Sequence, residues 1–455
     1  MTQHPPHRNR QALATIGIVA CLGLIATLPA QTAQASPSPV PSSSLAVSSV
    51  VLNVGANQTR RNLVWYANVT DANCVQFVPI RKGSASFRHA TLNCKTTQGT
   101  SSADATQTYF HATMSGLSAS TRYAYRVGSD SAGWSGVYNF STGGKTTFNF
   151  AYYGDPQVYP ATSTNNPGAG WANTVKVSTE ALSPEFLLTA GDQVNSYTNA
   201  GQSAEWPLFL APEQLTTYPL ATTVGNHDNA NGDGVQYSEH LALPNVSRTG
   251  ETSKGTGDYW FSYNNTVFMV LNTNYLDSNG DGVYDLDAIN QHASFLKRAI
   301  TRNPHATWRI VDFHHALYSA ADHPNDTDVT FLRTNLSPIL SKLGVDVVLN
   351  GHDHDYARSY LMSGTSVVPG TNTSTVKAKK GQVLYIEANS ASGGKFYPLT
   401  GPYPWTAVVN QENVANYTNV KVSQNSIAIT TYRSTDSSVV DTVTLKHARE
   451  HHTHH

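Results

Sequence analysis

The chain has 455 residues, a hydrophobic fraction of 39% and a formal net charge of −1. That length holds about two to three domains at roughly 100–200 residues each. The balanced charge and the lack of any Lys/Arg stripe exclude a nucleic-acid polymer as the natural partner, since such binders gather cations on one face. Residues 1–35 have the anatomy of a secretory signal peptide: Arg8 and Arg10, an apolar run from Ala12 to Leu28, and a small-x-small site at Ala33-Gln34-Ala35. The expected protein is secreted and free of the membrane after cleavage. A retained membrane anchor, or lipidation at Cys21 within Ile18-Val19-Ala20-Cys21, is the alternative. Residues 36–44 are Pro/Ser-rich and read as a flexible linker. Cys74 and Cys94 then remain as an even pair, which in an exported chain predicts one disulfide; two buried thiols are the alternative.

From 45 to 142 short β-rich segments alternate with polar turns, the spacing of a small antiparallel sandwich. Its His89 and His111 read as surface or structural residues. After Gly143-Gly144 the rhythm changes. Strands are expected at Phe148–Tyr153, Glu185–Thr189 and Tyr218–Val224, with helices at 169–182 and 203–215 between them. Paired strands follow over Tyr259–Asn272, then a helix at Leu286–Thr301. Strands at Trp308–Phe313 and Val345–Leu349 flank a helix at 328–342, and β-rich segments dominate from Gln382. Such alternation predicts a layered α/β domain over 146–446, ending in a His-rich tail at 447–455.

Five segments stand directly after strands: Gly154-Asp155-Pro156-Gln157, Gly191-Asp192, Gly225-Asn226-His227-Asp228, His314-His315 and Gly351-His352-Asp353-His354. Active sites of open α/β sheets gather at the carboxyl ends of strands, so the fold itself would bring these together. Their carboxylates, amide and imidazoles are donors that divalent first-row metals accept. Asp155, Asp192, Asn226, His314, His352 and His354 exceed the needs of one ion. They suit two ions sharing a carboxylate, which clamp the attacking and leaving oxygens of a phosphoryl displacement.

The order of these motifs resembles that of the calcineurin-like metallophosphoesterases, and within them the purple acid phosphatases. Gly116 to Gly128, with Trp134-Ser135 and Phe140-Ser141-Thr142, is similar to the late strands of that group's fibronectin-like N-terminal domain. Gly257 to Tyr263, Tyr318 and Gly351 to Ser359 are similar to its later blocks. The resemblance implies a fibronectin III-like sandwich followed by a metallophosphoesterase domain, a β-sandwich flanked by helices. It implies that Asp192 bridges two divalent ions. Asn226, His314 and His352 complete one site, and Asp155 and His354 serve the other. A metal-bound hydroxide would attack phosphorus in line. His227 would act as acid toward the leaving oxygen, with Asp228 orienting its ring, and His323 would contact substrate or leaving group. His314 is favoured as the ligand of the His-His pair; His315 is its support, or the ligand itself if the motif is offset by one residue.

The pattern departs at two positions. The metal-binding Tyr of purple acid phosphatases is expected three residues after the second aspartate, where this chain has Asn195; Tyr197 lies nearby. The His that other members place two residues after the first aspartate is Gln157. Either Gln157 or Asn195 is expected to complete the first site, favouring Zn, Mn or Fe(II) over ferric iron. Asp277 to Asp285 also resembles half of a calcium loop, although Ala288 stands where a bidentate Glu belongs. The expected activity is a secreted phosphatase acting on small phosphate monoesters. A phosphodiesterase or nucleotidase, and an inactive exported binding module, are the alternatives.

Overall fold

The computed structural model describes residues 44–144, 146–229, 232–250 and 257–448. The signal peptide, residues 36–43 of the linker and residues 449–455 of the tail lie outside them. Among the described residues no helix is long and apolar enough to cross a membrane.

The N-terminal part is a sandwich. One layer holds Val47–Val54, Arg60–Ala67, Thr108–Ser115 and Thr97–Thr100; the other holds Thr91–Asn93, Cys74–Pro79, Arg122–Ser129 and Tyr138–Ser141. Alternate residues face inward, so Leu63 and Trp65 meet Tyr123, Tyr125 and Val127 in a common core. The buried Trp65 indole stacks on Phe110 at 5.3 Å and donates to the Ala72 carbonyl at 2.9 Å. Cys74 and Cys94 form the expected disulfide, joining neighbouring strands that pair Val75 with Asn93.

The α/β part is two sheets face to face with helices outside. Phe148, Phe150 and Tyr152 point between the sheets, against Phe268 and Ile310; Ala151 and Tyr153 point to the helix layer of Trp171 and Val175. Strands covered on both faces read as unbroken apolar runs, which is why these are conspicuous in the sequence. The second sheet runs Tyr259–Tyr263, Thr266–Leu271, Trp308–Phe313, Val347–Asn350, Gln382–Glu387, Tyr356–Ser359 and Thr406–Asn410. Helix Leu286–Arg302 covers it with Ile289, Phe295 and Leu296.

Three helices differ from the expected bounds, each for a local reason. The first spans Pro167–Leu182, because the Asn166 side chain caps Ala169 N at 3.1 Å and Pro167 suits the first turn. The second spans Asn199–Phe209 rather than 203–215. Thr198 caps its start, and Pro212, which disfavours helical backbone at Ala211, closes it; Glu213–Thr216 is a separate 3₁₀ turn. The third is two helices, Thr327–Asn335 and Ser337–Lys342, divided just before Pro338.

The first catalytic sheet does not stop at the 142–146 junction. Its order continues from Phe148–Tyr153 through Phe186–Thr189 and Leu220–Thr222 into Val47–Val54 of the sandwich, where Asn53 pairs with Leu220 in parallel. Asn53 fixes the join from both ends of its amide, donating to Leu220 O at 3.1 Å and accepting from Ala242 N at 3.1 Å.

Candidate metal centre

All five segments leave the carboxyl ends of strands, and both sheets contribute. The glycines make the convergence possible. A Cβ at Gly225 would lie 1.9 Å from Asp192 Oδ1, and one at Gly351 would lie 2.2 Å from Asp155 Oδ1. A larger residue at either position would push a carboxylate out of place. The loops are also strained: Gln157, Asp192, His352 and His354 all hold positive φ, at 36°, 49°, 80° and 48°.

Asp192 sits at the middle. Its Oδ2 is 3.4 Å from His314 Nε2, which is 2.9 Å from Asn226 Oδ1 and 3.1 Å from His352 Nδ1. Asn226 Nδ2 donates to the Tyr197 hydroxyl at 3.1 Å, so its oxygen is the atom that faces His314. His314 Nδ1 donates to the Ala190 carbonyl at 2.9 Å, which leaves Nε2 as a lone pair when the ring is neutral. A lone pair facing two oxygens is repulsive unless a cation stands between them. Burial alone would lower the His314 pKa, but Asp192 and Asp155 raise it to about 10, so a proton meets this need when no metal does. Burial and the imidazole of His314 hold His352 well below the usual range, so its ring stays neutral and able to ligate.

Asp155 completes the arrangement. Its Oδ2 is 3.2 Å from His354 Nε2, and its oxygens accept the His352 amide at 2.9 and 3.1 Å. His354 Nδ1 donates to Lys395 O at 2.9 Å, again turning the Nε2 lone pair to a carboxylate. Donor atoms of Asp155, Asp192 and His314 lie within 4.8 Å of one another, a cluster fit for a divalent ion. Gln157 Oε1 is buried with no hydrogen-bond partner among the described residues, the condition of a free ligand oxygen. Asn195 instead engages through its backbone: its amide donates to Glu205 at 2.9 Å and its carbonyl accepts His227 Nδ1.

His227 stands at the edge of the donor set, its backbone amide donating to Asp192 Oδ1 at 2.9 Å. Its Nε2 is 2.8 Å from the Tyr197 hydroxyl and 2.8 Å from Gln157 Nε2, against 3.8 Å from Asp192. Asp228 does not orient this ring as the sequence leads one to expect; the Asn195 carbonyl does. Asp228 accepts from Gln193 N at 2.8 Å, Gln193 Nε2 at 2.6 Å and Gly225 N at 2.8 Å, tying two ligand loops together. Burial and the neighbouring Asp192 charge push its carboxyl up to about 8. The reason is one of direction: the 225–228 turn folds Asp228 back under the loops while His227 projects outward.

His315 binds Thr273 Oγ1 at 2.7 Å and lies 3.5 Å from Asp328, apart from the donor set. His323 reaches the cavity beside His352, with ring centroids 4.3 Å apart, and its Nδ1 lies 2.7 Å from Asp353 Oδ1. The Asp277–Asp285 turn uses its carboxylates internally: Asp277 accepts Gly280 and Gly282 amides at 2.7 and 2.6 Å, and Asp285 caps Ala288 N at 2.9 Å. Three residues that sequence reasoning did not assign also line the cavity: Tyr197, Lys395 and Tyr397. Tyr197 stacks on His227 at 4.0 Å, so the offset from Asp192 that set it aside is bridged by the loop's curvature. A larger cleft of ≈ 900 Å³ bounded by Arg309, Asp346 and His447 contains no such donor set.

Residues 47–142 match the purple acid phosphatase N-terminal domain, and residues 149–356 the calcineurin-like phosphoesterases. An uncharacterized protein of Mycobacterium tuberculosis is 24% identical over 330 residues, covering 66% of this chain and 61% of that protein. Purple acid phosphatase 3 of Arabidopsis thaliana is 30% identical over 224 residues, covering 46% of this chain and 59% of that protein. The chain therefore spans about six-tenths of the length of these curated relatives. The structure of purple acid phosphatase PPD1 from yellow lupin seeds shares the fold, with a TM-score of 0.70 at 18% identity over 88% of this chain and 74% of that one.

Proposed function

Because the chain belongs to the calcineurin-like phosphoesterases and carries a purple acid phosphatase-type N-terminal domain, we propose that it is a secreted, dinuclear metal-dependent phosphatase acting on small phosphate monoesters. The supporting observation is the placement of Asp192 beside His314, Asn226 and His352, with Asp155, His354 and the unpartnered Gln157 oxygen completing the cluster. Bound divalent ions supply polarisation of the phosphate and acidification of a water for in-line displacement.

The chain's own residues do the rest. Main-chain carbonyls of Ala190 and Lys395 fix the tautomers of His314 and His354, presenting Nε2 of each to the centre. His227, held by the Asn195 carbonyl through Nδ1, has Nε2 at the cavity to exchange a proton with the leaving oxygen. His323, steadied by Asp353, faces the same space and contacts substrate. Gln157, rather than Asn195, completes the first site. Its neutral oxygen favours Zn, Mn or Fe(II). The calcium expectation at Asp277–Asp285 is not carried forward, because those carboxylates close a turn and cap a helix.

Elemental analysis and a phosphate-ester panel test the reading together. Asp192→Ala should lose both metal and turnover. His227→Ala should keep its metal and lose about 10²–10⁴ in kcat. Wild-type protein that takes up no divalent metal and hydrolyses no ester would refute the proposal.

A further inference from the structure

The cavity beside the metal donors measures only ≈ 60 Å³. At roughly 10–15 Å³ of such space per water, it admits a phosphoryl-sized group, and an ester's organic arm would extend from its mouth. Its walls include one cationic side chain, Lys395. The ammonium lies 4.6 Å from the centroid of the Tyr397 ring, and that ring packs against His354 at 5.2 Å and His323 at 5.0 Å. Lys395 is half-buried, and no carboxylate stands within ion-pair distance of it among the described residues. Its charge also acts on the Tyr197 hydroxyl, which places it within reach of the side of the cavity where His227 lies. A half-buried ammonium with no carboxylate beside it is able to pair with an incoming anion.

We propose that Lys395 is a specificity-determining residue that pairs with the non-bridging oxygens of a phosphate monoester dianion, and so sets the preference for monoesters over diesters. The proposal rests on the phosphoesterase reading of the adjoining donors. A monoester near neutral pH carries close to two negative charges and three unsubstituted oxygens. With two of those oxygens turned to the metals, the third, which shares the dianion's charge, is left for a cation on the protein side. A diester has one charge fewer and a second oxygen replaced by an ester arm, so it offers the ammonium a weaker partner. Tyr397 holds the ammonium in place through its ring face. The Lys395 backbone carbonyl holds His354, so replacing the side chain leaves that contact available.

The test compares wild type, Lys395→Met and Lys395→Arg, all loaded with Mn or Zn to equal measured occupancy. Paired chromogenic monoester and diester substrates are assayed, and inorganic phosphate binding is titrated by calorimetry. Loss of one charge-assisted contact should lower monoester kcat/KM and phosphate affinity about 10- to 100-fold in Lys395→Met, with diester kcat/KM changed less than about threefold. Lys395→Arg, which keeps the charge, should recover part of the monoester rate. Equal loss on both esters, or unchanged phosphate affinity in Lys395→Met, would overturn the assignment. Should wild type hydrolyse neither ester while Lys395→Met still binds phosphate more weakly, the enzymatic reading falls and the anion-pairing role stands.

Discussion

A single methyl group measures how tightly the centre is built. Gly225→Ala would place carbon 1.9 Å from Asp192 Oδ1, so either the carboxylate or the loop must move. Metal affinity should fall by about 10- to 100-fold, the usual effect of displacing a ligand's support, while circular dichroism stays that of the folded protein. Calorimetric metal titration reads this, and unchanged affinity would show that Asp192 has more freedom than its surroundings suggest. Tyr197 makes a second test at this scale. Its hydroxyl bonds His227 and Asn226, not a carboxylate-bound metal position, so iron-loaded protein should be colourless. A visible tyrosinate-to-iron band abolished by Tyr197→Phe would contradict that.

Loops rather than strands carry the site, and Asp228 is what holds two of them together. Asp228→Ala would leave Gln193 N and Gly225 N without their acceptor, and Gln193 Nε2 with only the Thr223 carbonyl. Stranding buried donors costs about 1–3 kcal/mol for each, so a loss on the order of 3 kcal/mol or more is expected from the denaturant midpoint. The same elements show what was legible in the sequence. Asp155, Asp192, Asn226, His314, His352 and His354 could be read because each closely follows an apolar strand, all but His314 through a glycine-led turn that marks a sharp exit. Lys395 and Tyr397 follow a strand too, but Ala388 to Gly394 separate them from it and nothing in a Lys-Phe-Tyr triplet announces chemistry. The task of Asp228 was misread because adjacency to His227 says nothing about which way a turn throws its side chains. Helix ends moved by a few residues wherever Pro167, Pro212 or Pro338 decided them.

Across the whole molecule, the sandwich and the catalytic layers share both a sheet and a buried aromatic stack. His240 lies between the Tyr66 ring of the sandwich and the Trp206 ring of the helix layer, each at 4.9 Å, with Nδ1 donating to Gln236 O at 2.7 Å. Burial, and to a lesser degree the nearby His111, push its pKa down to about 4. A folded value below the unfolded ~6.5 means the unfolded chain binds the proton more tightly, so this contribution is complete above pH 6.5 and is lost as pH falls toward 4. It amounts to roughly 3 kcal/mol. His240→Gln should therefore flatten the fall of Tm between pH 6.5 and 4; equal slopes would refute the assignment. Separating the parts should be worse than mutating the join. A chain starting at residue 146 would bare the edge of Leu220–Thr222, which Val47–Val54 covers, and should aggregate, as read by size-exclusion recovery. The Asn53–Leu220 pairing also bears on inheritance: recombination that grafted a foreign sandwich onto this catalytic half would have to recreate an amide at that one position, so the two halves are expected to descend together.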